Sequence, residues 1–296
     1  MKVLKVILLI LLVLFSTITF GCDREYGLDE IMHLYAAIGK SDYGKVKRLV
    51  SRYPKIVNAL FRAGNDEASP LMSALAIGDI GIVNLLLEKG ADVNYQDLRG
   101  VSVLNATIQG GNVEQVKLIL EAGADVGLED NMELGVYHYA LYKPSLEMLD
   151  LLYEYSKLID EPDANGTTPL LANMSSRHEG RDPITLWFLK KGASFDIVIE
   201  LVPEMIPAFL YKKRNEVNKY LLENTPSYRN YIDPAGQTVS HFSVEFGNDE
   251  VLDCLLENKY YSNAENDKGE TPLEMAVRMG RKDMVKEIEA YLKVTP

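Results

Sequence analysis

The sequence predicts an all-α solenoid of about eight stacked helix pairs, with hairpin turns between the pairs. Three observations support this. Residue types recur at a fixed spacing of 33: Ser69, Leu71, Gly78, Val83 and Gly90 return as Ser102, Leu104, Gly111, Val116 and Gly123. Inside each copy the apolar residues fall at helical spacing, as in Leu71, Ala74, Val83, Leu86 and Leu87. Between copies stand turn signals with Asp first and Gly fourth, a type I preference: Asp97-Leu98-Arg99-Gly100, Asp163-Ala164-Asn165-Gly166 and Asp233-Pro234-Ala235-Gly236, with Asn266-Asp267-Lys268-Gly269 as the Asn form. One period over most of a chain means one supersecondary unit copied, whose apolar face only its neighbours can bury.

The first residues differ from the rest. Lys2 and Lys5 open a short basic start, and Val6 to Gly21 is uncharged and mostly apolar. That run is shorter than the roughly 20 residues a spanning helix needs, and it reads as an export signal over residues 1–21. Cys22 follows Gly21 directly, and charge begins at once with Asp23 and Arg24. This start resembles a bacterial lipoprotein signal. The resemblance implies that Cys22 becomes the first mature residue, carries lipid, and joins the repeats through a short linker, 22–28. The expected location is the bacterial cell envelope, periplasmic or outer face. A plain secretory signal with a soluble periplasmic product, or an uncleaved anchor, remains open.

Charge narrows the partners. The chain carries 31 Lys and Arg against 43 Asp and Glu, and loss of residues 1–21 moves the formal net charge from −12 to −14. Such a balance argues against phosphate backbones, hence against nucleic acid, and against spontaneous adhesion to anionic lipid. It would steer a basic protein inward. Cys254, in Leu252-Asp253-Cys254-Leu255-Leu256, sits at a helical core phase and reads as a small buried apolar residue.

The repeat region is expected over 29–296. The first unit, Asp29 to Phe61, places Leu34 and Ala37 on one helix and Val46, Leu49 and Val50 on the next. Lys45, Lys47 and Arg48 make the polar outer face that a terminal unit needs. The second and third units start on the N-caps Ser69 and Ser102, with Pro70 in the first turn, and end on Gly90 and Gly123 in a left-handed position. The fourth, Asn131 to Pro162, keeps the phase with Tyr137, Ala140, Leu149 and Leu152, but has Glu133 where a turn glycine is expected. The fifth restarts at Gly166-Thr167-Thr168-Pro169-Leu170 and carries a polar connection, Ser175 to Asp182, before Trp187-Phe188-Leu189. The sixth, Ile199 to Ile232, is held by Met205, Ala208, Val217 and Leu221, with Pro203 and Pro207 reshaping its first helix. The seventh restarts at Gly236-Gln237-Thr238-Val239-Ser240-His241 and the eighth at Gly269-Glu270-Thr271-Pro272-Leu273.

A period of 33 with a T-P-L-H-x-A-like opening resembles the ankyrin repeat. The resemblance implies helix pairs joined by projecting hairpin tips, a concave groove lined by the first helices, and protein binding without a cofactor, by a monomer. In that family the His of the opening hydrogen-bonds backbone between units, which is the role implied for His138 and His241. His33 falls on the capping helix. His178 lies among Arg177, Glu179, Arg181 and Asp182, a solvated loop or, on the enzyme alternative, a hydrolase site. No H-x-x-x-H, H-E-x-x-H, C-x-x-C, G-x-S-x-G or Walker-type glycine loop occurs, so neither metal nor catalytic spacing is present.

Counting seven or eight places from each Thr position gives the groove residues that the resemblance implies. Early units offer small side chains, whereas later ones present Tyr142, Tyr211, Phe246 and Met279, with Glu245 alongside. Arg99, Asn131, Met132 and Gln237 belong to the tips. Exposed aromatics and methionine are what binding hot spots are made of; the competing expectation is that these side chains are core. The function expected is protein capture at a bacterial membrane, or, more narrowly, a lipid-anchored inhibitor or immunity protein that blocks an enzyme or toxin.

Overall fold

The computed structural model of the protein describes residues 26–63, 66–176 and 180–294. The leader over 1–21, Cys22 and His178 lie outside the described residues. The chain divides into two compact units, Met1–Pro169 and Leu170–Pro296.

In the first unit the helices come in pairs: α1 (Leu28–Gly39) with α2 (Tyr43–Arg52), α3 (Pro70–Ile77) with α4 (Ile80–Glu88), α5 (Val103–Gly110) with α6 (Val113–Glu121), and α7 (Val136–Ala140) with α8 (Leu146–Tyr155). First helices pack on first helices in chain order, α1 on α3, α3 on α5, α5 on α7. The local code is the expected one. Ser69 Oγ accepts the Met72 N–H at 3.2 Å and Ser102 Oγ that of Asn105 at 3.0 Å. Each such cap contributes about 1 kcal/mol. Gly90 and Gly123 take φ +83° and +93° after the second helices. Leu71, Ala74, Val83 and Leu86 are fully buried, and so is Ile82, whereas Leu87 is only half-buried. Full burial of one such leucine stabilises by roughly 1.5–3 kcal/mol. The outer face of α2 is wet at Lys47 and Arg48, with Val46 and Val50 turned inward. Between the first two pairs, a 3₁₀ turn (Pro54–Asn58) leads into a short antiparallel ladder of Phe61–Ala63 with Asp66–Ala68.

In the second unit, α9 (Pro169–Ser175) and α10 (Asp182–Lys190) form the fifth pair. The helix α11 (Phe195–Leu201) then stands where a hairpin tip is expected, before the sixth pair α12 (Met205–Tyr211) and α13 (Asn215–Asn224). A single turn, α14 (Pro226–Arg229), follows, then α15 (Val239–Glu245) with α16 (Asp249–Glu257), and α17 (Pro272–Arg278) with α18 (Lys282–Val294). The insertion has its own core. Phe195 meets Tyr228 edge-on at 5.6 Å and Phe209 at 6.5 Å, and the buried Tyr228 hydroxyl donates to Asn218 Oδ1 at 2.6 Å.

That aromatic core explains a departure from the sequence expectation. In α12 the buried residues are Ile206, Phe209 and Leu210, while Ala208 is exposed and Met205 half-buried. The apolar face is one residue later than the repeat phase predicts. Pro207 sits in the first turn of α12, where its missing N–H costs nothing. In the seventh and eighth pairs the phase returns: Leu252, Ala276 and Ile288 are fully buried.

Candidate functional site

The tips are built by one device. In each, an Asp or Asn side chain closes its own turn. Asp97 Oδ1 accepts the N–H groups of Arg99 and Val101, both at 2.9 Å. Asp130, Asp163, Asp233 and Asn266 repeat the pattern two and four residues on. The first carbonyl also accepts the fourth N–H, as in Gly100 to Asp97 at 2.9 Å. Burial alone would push the Asp163 carboxyl up, but the N–H groups of Thr167 and Asn165 outweigh it and hold that carboxyl below the usual range. The tips are tied to one another as well: Asn131 N–H donates to Arg99 O at 2.9 Å and Ala164 N–H to Met132 O at 3.0 Å. Gly100 is required there twice over. Its φ is +76°, and a Cβ would lie 2.8 Å from the Asn131 nitrogen.

Behind the tips, four of the first helices are closed by a donor from the following copy. Gln115 Nε2 reaches Leu75 O at 3.1 Å, Lys143 Nζ reaches Gly110 O at 2.6 Å, Asn248 Nδ2 reaches Leu210 O at 3.1 Å, and Arg281 Nη2 reaches Glu245 O at 3.2 Å. His138 Nε2 meets Thr167 O at 2.9 Å and His241 Nε2 meets Glu270 O at 3.0 Å. Both histidines therefore take the backbone-bridging role that the resemblance implied. His33 is exposed on α1.

In the first unit this scaffold leaves an open cleft of about 460 Å³. It is lined by the inner faces of α3 and α5 (Met72, Ala106, Gln109), by two tips (Leu98, Arg99, Asn131, Met132), and by Tyr139 and Tyr142 from the fourth pair. Four of the residues singled out in the sequence, Arg99, Asn131, Met132 and Tyr142, thus converge on one hollow. Tyr142 is 58% exposed and Met132 52%, and Leu98 is exposed beside them. The Tyr139 and Tyr142 rings lie 5.8 Å apart.

The charged groups of the cleft are paired. Asp130 Oδ2 accepts the Tyr139 hydroxyl at 2.7 Å, and Asp97 Oδ2 accepts Arg99 Nη2 at 2.8 Å. Burial, reinforced by the hydrogen bond to Asp130, raises the Tyr139 pKa, so the phenol remains a donor at neutral pH. The lining contains no Ser, Cys or His. It offers apolar area and shape rather than a nucleophile beside a base. Sequence counting missed Leu98, Met72 and Tyr139. Leu98 had a signal, a large apolar side chain at the second place of a turn, where water normally reaches.

In the second unit, Tyr211 is 69% exposed and its ring meets Phe246 edge-on at 5.5 Å. Phe246, half-buried, stacks on Phe242 at 6.1 Å. Met279 is exposed at the end of α17, Glu245 ends α15, and Gln237 N–H donates to Asp233 Oδ1 at 2.7 Å. Neither the groove nor the core expectation holds throughout: Tyr142, Tyr211 and Met279 are on the surface, while Phe246 is shared. Cys254 is buried; burial first, then Glu223, pushes its thiol up.

Paired helices stacked in register, with tips tied edge to edge, define a repeat protein whose units fold only against their neighbours. Comparison with known families places it more closely. A profile described as "Ankyrin repeats (3 copies)" matches residues 205–292, and one described as "Ankyrin repeat" matches residues 66–98. The fold is an all-α ankyrin solenoid, and ankyrin repeats support a protein–protein interaction module. Among the described residues no helix is long and apolar enough to cross a membrane, and no group of three His, Cys, Asp or Glu side chains could hold a metal.

Proposed function

We propose that this protein captures another protein in the cleft between its second, third and fourth repeats, while Cys22 tethers it to a bacterial envelope membrane. The observation that supports capture is the convergence of exposed Leu98, Met132 and Tyr142 on a hollow whose carboxylates are already paired within the fold. Such a surface gains by excluding water from apolar area. Aromatic anchors of this kind contribute most of the binding energy in protein interfaces. The acidic balance of the chain favours a basic partner, and a narrower form of the reading is neutralisation of a basic enzyme or toxin in the envelope.

A photo-crosslinking residue at Tyr142 tests capture. It should trap a discrete partner that the same residue at Glu121, exposed on α6, does not trap. Leu98→Ala with Tyr142→Ala should weaken that partner's binding by about 2 kcal/mol or more, with an unchanged melting temperature. Equal trapping from both positions would end the reading. The tether is tested separately by incorporation of labelled fatty acid, which should disappear in Cys22→Ala.

A further inference from the structure

Formal charge is not spread evenly along the repeats. Residues 28–62 hold 7 Lys and Arg against 3 Asp and Glu, whereas residues 63–296 hold 21 against 38. The most basic of the repeats is therefore the capping repeat, next in sequence to the apolar start of the chain. Its cations share a face. Along α2, Val46 and Val50 point inward, and Lys47, Arg48 and Arg52 project outward with Gly44 and Ser51 between them. Lys40 and Lys55 flank the helix, both exposed. No ion pair among the described residues involves Lys40, Lys45, Lys47, Arg48 or Arg52. The acids of the segment are partly spent on backbone: Asp42 Oδ1 caps the Lys45 N–H at 2.9 Å, and Glu30 Oε2 takes the Gly27 N–H at 2.9 Å.

We propose that the outer face of α2 is a membrane-facing surface that sits on anionic lipid headgroups and sets how the tethered protein stands on its bilayer. The proposal rests on the tether reading for its setting, and on charge complementarity for its substance. Each Lys or Arg close to an anionic surface strengthens association about fivefold. The effect decays within roughly a Debye length, about 8–10 Å. The face of α2 lies within that layer when the cap is down. The stretch from α6 through the fourth repeat has the opposite sign: residues 113–166 hold 12 acidic against 3 basic side chains, and a negative surface repels them. A protein that is acidic as a whole can still prefer one orientation, because the potential acts on the face it meets. With the cap down, the cleft of the later repeats is left for a partner.

The full chain with Ser51→Cys, carrying an environment-sensitive fluorophore on the outer face of α2, tests this on neutral phosphatidylcholine vesicles and on vesicles with about 30 mol % phosphatidylglycerol. Protection of the label from an aqueous quencher should be at least about fivefold greater on the anionic vesicles, and should vanish near 0.5 M salt. Lys47→Gln, Arg48→Gln and Arg52→Gln together should weaken the association about a hundredfold, with the helical circular dichroism unchanged. A label equally open to quencher on both vesicle types overturns the proposal. So does protection by duplex DNA or an acidic protein but not by anionic vesicles. Flotation of the unlabelled chain with neutral vesicles reports the tether alone. If that fails, the tether reading falls, and flotation with anionic vesicles at low salt still decides the role of α2.

Discussion

Glu133 occupies the fourth place of the Asp130 tip with φ +59°, where the other four tips have Gly100, Gly166, Gly236 and Gly269 at +70° to +79°. A side chain in that left-handed region costs roughly 1–2 kcal/mol. Glu133→Gly removes this cost and returns roughly 0.4–1 kcal/mol through the greater freedom of glycine in the unfolded chain. The net expectation is a gain of about 0.5–1 kcal/mol, or a rise of roughly 1–4 °C in melting temperature for a unit of this size. Two controls isolate the backbone cause. Glu133→Gln keeps the conformation and removes only the charge, so it should change stability by less than about 0.5 kcal/mol. Gly166→Ala meets nothing within 4 Å of the added methyl, so it reports the conformational penalty without a clash and should cost about 1 kcal/mol. Thermal and urea melts of the three variants suffice. If Glu133→Gly melts at or below the wild type while Gly166→Ala is neutral, backbone strain is not what distinguishes this tip.

Other outcomes follow from the same geometry. His241 is fully buried and uses both ring nitrogens, Nδ1 on the Thr238 N–H at 3.1 Å and Nε2 at Glu270 O; His241→Ala should cost about 2–4 kcal/mol in chemical denaturation. Asp163 has its folded pKa depressed, so its contribution is present above its unfolded value near 4 and is lost as pH falls from there through the lower folded value; Asp163→Asn, which can close the turn as Asn266 does, should flatten the acid limb of stability below about pH 4 and leave neutral pH nearly unchanged. The Cys254 thiol, buried and with its pKa raised, should react with an aqueous thiol reagent only at the rate of unfolding, which stopped-flow labelling against a denaturant series measures.

The fold was legible wherever backbone chemistry forces a residue type. Ser69, Ser102, Thr238 and Thr271 cap helices because few side chains can accept that N–H, and Gly90 and Gly123 fill conformations that few others tolerate. The sixth repeat was legible only in part. Its phase is set by a local aromatic contact, Phe195 against Tyr228, that no periodicity encodes, and α11 in place of a tip has no turn signal to announce it. A part of the candidate site was likewise visible. Counting along the helices finds Tyr142, and turn grammar finds Arg99 and Asn131. That these meet Met72 and Leu98 in one hollow depends on how neighbouring copies are stacked, which a single copy does not contain.

The closing donors behind the first helices have a consequence for how the protein can be cut or rearranged. An amide, an ammonium, a second amide and a guanidinium each finish the work of the preceding copy, from differing sequence distances. The copies resemble one another, yet they are not interchangeable bricks. Deleting or permuting one would strand a helix end on one side and a mismatched donor on the other, so shortening this protein should succeed only where a replacement end is designed to stand in for the missing neighbour.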